Sequence, residues 1–133
     1  MLFDESLVYF EDLNKWSELV VNRQVVFLNK VLASYRETPG SLMSNTLDFD
    51  IAAIAFFQRH LTSPLIELPN QTKMNIQQRL IREINDALYG VANKGLVSQT
   101  FKFSLMLLKT KPSFLHFKAS LKNIMISFIK SIF

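Results

Sequence analysis

The side chains best suited to proton transfer or metal binding in this chain are two histidines, His60 and His116, and a carboxylate pair, Asp48 and Asp50. Neither histidine has a second histidine or an acid at the spacing that puts two ligands on one helical face, so a zinc site is not expected. His116 has Ser113 and Ser120 within helical reach, but no acid follows locally to orient its ring for nucleophilic catalysis. His60 follows Gln58-Arg59 at the end of an apolar run, where a cation complements the helix dipole. Asp48 and Asp50 precede the apolar stretch 51–57, and acids at a helix start have the same electrostatic explanation. The three glycines are isolated from one another, which excludes a glycine-rich phosphate loop. With no cysteine, disulfides, thiol chemistry and cysteine-based zinc sites are excluded, which fits a reducing compartment. The chain is therefore read as non-catalytic, with no catalytic residue, no cofactor and no metal site.

Recognition by charge is the chemistry that remains. All eleven acids lie at or before Asp86; beyond it come seven lysines and no arginine. A basic, acid-free C-terminal third is a surface for an acidic or anionic partner. The candidate partner-binding residues are Lys109, Lys111, Lys118, Lys122, Lys130 and Phe133. An intramolecular use of the same charge is the alternative, with Glu5, Glu11, Asp12 and Glu18 facing those lysines. Nucleic acid is a weaker expectation, because the lysines are scattered singly among apolar residues and this basic third has no arginine for bidentate base contacts.

These residues are carried on helical patterns. Length 133 and a hydrophobic fraction of 49% define one globular domain over 1–133, and three glycines with four prolines are too few for the turns of a β-sandwich. Twelve phenylalanines predict an aromatic core. From Asp4 to Arg36, Leu13, Trp16, Val20, Phe27 and Val31 recur near helical spacing, with Phe10, Val21, Leu28, Leu32 and Tyr35 beside them; this predicts a long amphipathic N-terminal helix, with Asn22 as a place where it could break. Thr38-Pro39-Gly40-Ser41 ends it. Ser44, Asn45 and Asp48 can cap a second helix over Asp48–Leu61, whose all-round apolar character predicts a buried central position. Asn70 or Thr72 can cap a third, with Ile76, Leu80, Ile84, Leu88 and Val91 on one face and Lys94-Gly95 at its end. Ser98 precedes a fourth over Gln99–Lys109, where alternation also suits a strand but no partner strand exists. The fold expected is all-α, a single-domain bundle of four to five helices with a long N-terminal helix.

The final stretch, Phe114–Phe133, groups Phe117, Leu121, Ile124, Met125, Phe128 and Ile132 on one helical side and His116, Ser120, Asn123, Ser127 and Ser131 on the other. Burial of the apolar side in the bundle is the expectation, and His116 is expected to be solvated. Lying on lipid and being covered by a partner protein are the alternatives. No run of 18 residues lacks charge, and acids near the start replace the positive region of a signal peptide, so neither a membrane span nor secretion by that route is expected. The function expected is a small cytoplasmic helical interaction protein (an adaptor, a regulator or an inhibitor-binding module) that engages a protein partner through its basic C-terminal face. An amphipathic protein that binds an anionic membrane or a hydrophobic ligand is the second expectation, and a homodimer is a further one.

Overall fold

The computed structural model describes residues 7–20, 23–34, 36, 38, 40–41, 46–64 and 67–132. Five helices run in order: α1 (Glu11–Val20), α2 (Thr46–Thr62), α3 (Asn70–Asn93), α4 (Val97–Thr110) and α5 (Phe114–Ile132). No strand occurs among the described residues, so the ambiguous 99–109 stretch is helical. The proposed caps Ser44 and Asn45 lie outside the described residues.

The long N-terminal helix is not formed. α1 stops at Val20, and residues 24–34 have no regular structure, with Phe27 and Val31 87% and 94% exposed. Short helices depend on tertiary packing for stability, and this stretch has β-branched Val25 and Val26 with no neighbour to cover its apolar side. α1 itself is anchored at Phe10. That residue has φ 63°, costly for a bulky side chain, while its carbonyl accepts the Asn14 N–H at 2.8 Å. Its ring lies against Phe49 at 4.8 Å and stacks on Phe56 at 5.2 Å, both on α2.

α3 occupies the central position expected of α2. Ile84, Ala87, Leu88, Val91 and Ala92 are fully buried on it, whereas α2 keeps Ile51 and Ala55 exposed. α2 packs along α3, and α4 and α5 pack on α3 and on each other. The core joins Leu47 and Ile54 of α2, the predicted α3 face from Leu80 to Val91 without Ile76, and Phe103 and Leu107 of α4. The aromatic core expected from composition is narrower than the count suggests, since Phe27, Phe101, Phe117 and Phe128 are exposed. Gly90 has a packing reason: a Cβ there would meet Leu47 Cδ1 at 3.2 Å.

The turn glycines follow the predicted chemistry, whereas the predicted N-caps of α3 and α4 do not form. Gly40 at φ 75° and the bond from Ser41 N to Thr38 O at 3.1 Å make the first turn. Lys94 is the α3 C-cap, and Gly95 takes φ 68°; Leu96 N bonds Val91 O at 3.0 Å and Gly95 N bonds Ala92 O at 3.1 Å, the pair of bonds of a Schellman end. α3 begins after Pro69 with no side-chain cap, so neither Asn70 nor Thr72 has that role, and Leu96 rather than Ser98 precedes α4. Ser113 caps α5, its Oγ accepting the His116 N–H at 3.2 Å.

α5 is turned the opposite way from expectation. Ser120 and Ser127 are 2% and 0% exposed, while Met125, Leu115 and Ile132 are 66%, 74% and 75% exposed. The polar strip faces the bundle and the apolar side faces out. The reason lies in the surface that receives it. Gly95 brings α5 so close that a Cβ there would stand 3.0 Å from the Lys130 carbonyl carbon, and small Ser104 is buried on α4. That close approach admits hydroxymethyl groups where phenylalanines would not fit.

Candidate interaction surface

The outer faces of α4 and α5 form one apolar surface studded with lysines. Phe101 of α4 and Phe128 of α5 meet edge to face, with centroids 6.4 Å apart, and both are half exposed. Leu105 extends the patch along α4; Phe117, Leu121, Met125 and Ile129 extend it along α5. Large exposed apolar patches are a general feature of interaction sites.

The candidate lysines are distributed over and around this patch. Lys118 and Lys122 are exposed on the outward side of α5, amid Leu115, Leu121 and Met125. Lys109 is exposed in the last turn of α4. Lys111 is the exposed C-cap of α4. Its N–H bonds Leu107 O at 3.0 Å and its carbonyl accepts His116 Nδ1 at 2.8 Å. Lys130 is exposed at the α5 end nearest Gly95, and Phe133 lies outside the described residues. Sequence reasoning missed Phe101, Lys102 and Leu105, because it read the 99–109 stretch for strand against helix rather than for an outer side. The signal was present: Phe101 and Leu105 are four apart, next to Lys102 and Lys109.

His116, expected to be solvated, is only partly covered. It is half-buried, and its ring N–H joins the α4–α5 turn by donating to the Lys111 carbonyl. His60 has a partner that local spacing did not reveal. Phe56 O accepts from Nδ1 at 2.9 Å, so Nδ1 carries hydrogen and Nε2 faces Ser17 Oγ at 2.8 Å. Serine and imidazole stand at the distance of a nucleophile and its base. However, a backbone carbonyl orients the ring, and the single Ser17 hydroxyl hydrogen is shared between Nε2 and Asn14 O, 2.7 Å away, which suits a fastening of α1 onto α2.

That fastening borders an apolar groove of about 410 Å³ between α1, α2 and the start of α3, with Leu13, Trp16, Val20, Phe57, Leu68 and Ile76 in its walls. The α1 stripe predicted to be core therefore lines an open groove, with Trp16 64% exposed.

Asp48 lies in the first turn of α2, as the dipole argument requires. Asp50 does something else. Burial, then Glu83 and Asp86 across on α3, raise its pKa above the ordinary carboxylate value, and Arg79 opposes this. Glu83 is buried on α3 and ion-paired to Arg79, Nε to Oε1 at 2.5 Å. No cluster of metal-ligating side chains occurs among the described residues. No described helix is long and apolar enough to cross a membrane.

The chain matches no known protein family, no curated protein and no solved structure.

Proposed function

We propose that this chain is a non-catalytic interaction protein whose working surface is the apolar, lysine-bearing outer face of α4 and α5. One observation carries this reading. α5 exposes Leu115, Met125 and Ile132 while burying Ser120 and Ser127, the reverse of what water selects for a helix with nothing to bind. The lysines set the sign of the occupant, since no acid follows Asp86. Two copies placed face to face would set lysines against lysines, which disfavours a homodimer through this surface.

Fractionation of cells that make the protein tests this. The wild type is expected in a larger assembly, of membrane or of protein, and a Leu121→Ser/Met125→Ser/Ile129→Ser variant is expected free and still folded. Free monomer for both would overturn the proposal.

A second reading is favoured by the groove beside Trp16. Its size falls within the ~300–1,000 Å³ range of small-molecule sites, and its walls are almost wholly apolar, which suits a hydrophobic ligand.

A further inference from the structure

We infer that the occupant of the α4/α5 outer face is an anionic lipid surface, on which the two helices lie flat. The inference rests on the docking role proposed above and adds the chemistry of the partner. Charge is the first argument. Lys102, Lys109 and Lys122 are exposed on or beside this face, and no acid lies anywhere from Ala87 to the end of the chain. Apolar side chains with basic residues among them are what an interfacial helix presents to anionic headgroups.

The placement of Lys122 separates lipid from protein. It is exposed within the outward apolar arc of α5, next to Leu121 and one turn from Met125. The buried centre of a protein interface is depleted in lysine. At a bilayer boundary, by contrast, the aliphatic stem can lie with the acyl chains while the ammonium reaches the phosphates. The helices would lie on the lipid and not cross it, since none described is long and apolar enough to span. The other long exposed apolar stretch repeats the sign: Phe27 and Val31 stand out beside Arg23 and Lys30, with no acid from 23 to 36.

Flotation of the purified full-length chain with phosphatidylcholine vesicles, with and without phosphatidylserine, tests the inference. The wild type is expected to float with the anionic vesicles, at least tenfold more tightly than with the neutral ones, and to be released by added salt. Lys109→Glu/Lys122→Glu is expected to lose more than tenfold in affinity with an unchanged circular dichroism spectrum. Should that variant misfold, Met125→Ser, expected to weaken binding with its fold intact, provides the same check. Failure of the wild type to float at low salt, or equal affinity for the two vesicle types, would overturn the lipid assignment. If the cellular assembly then survived lipid extraction, the docking face would stand and its occupant would be a protein.

Discussion

Phe101 on α4 and Phe128 on α5 meet edge to face at 6.4 Å and an interplanar angle of 83°, each with half its surface in solvent. The contact joins the outer sides of two helices that bury hydroxylated side chains: Thr100 and Ser104 on α4, beside the core residues Phe103 and Leu107, and Ser120 and Ser127 on α5. Substitutions on the two sides of α5 should therefore behave in the opposite way to a water-facing amphipathic helix. Met125→Ser is expected to change stability by less than about 0.5 kcal/mol. Ser127→Ala, at a buried hydroxyl with no hydrogen-bond partner among the described residues, is expected to stabilise by about 1 kcal/mol. Ser127→Leu is expected to cost about 1–3 kcal/mol by overpacking. Urea unfolding of the three variants measures this, and a large loss for Met125→Ser would mean that α5 faces inward.

Gly95 should be intolerant for two reasons. Its φ of 68° costs a side-chain-bearing residue about 1–2 kcal/mol, and a Cβ would also press on the α5 backbone at Lys130, 3.0 Å away. Gly40 has a similar φ of 75° but nothing within 4 Å. Gly95→Ala is expected to lower the thermal midpoint clearly more than Gly40→Ala, the difference reporting the α5 contact.

Asp50 gives a pH dependence of defined sign. Its raised pKa means that the folded chain holds this proton more tightly than the unfolded chain does. Stability from this group is full below 3.8, the unperturbed value, and is lost as pH rises through the folded pKa. Asp50→Asn, which mimics the protonated form, is expected to raise the thermal midpoint at pH 7. The gain should shrink towards zero as pH falls to 3.8 and below. A gain independent of pH would show that neither burial of the ionised carboxylate nor its repulsion by Glu83 and Asp86 is the cause.

Ser17→Ala removes the side chain that faces His60 Nε2 at 2.8 Å. Leaving that buried nitrogen without its partner is expected to cost about 1–3 kcal/mol. Because the bond ties α1 to α2, the emission of the single tryptophan, Trp16, should shift to the red as α1 loosens. No change in either quantity would remove the fastening role.

Trp16 also reports on the groove it lines. A brominated aliphatic probe is expected to quench its emission saturably, and Ile76→Asp, which charges the groove wall, is expected to weaken that quenching at least tenfold. Quenching that stayed linear with probe concentration would indicate collisions in solution, not a site.

The sequence by itself determined the all-α class and roughly where the helices after Thr46 lie, apart from 99–109, where alternation left a strand open. Spacing and local chemistry suffice where the deciding contacts are a few residues apart: Gly95 closing α3, and Ile84, Leu88 and Val91 on a single face of α3. It also determined the charge polarity, which is a property of the chain order. Only the tertiary structure decided that α1 ends at Val20, that Ser17 meets His60 across 43 positions, and which side of α5 is buried. A helical wheel shows where the apolar arc lies, but not what the neighbouring helices can accommodate. In this chain Gly95 lets the α5 backbone come close at Lys130, the serines Ser120 and Ser127 face inward, and much of the phenylalanine-, leucine- and methionine-bearing side is left outside.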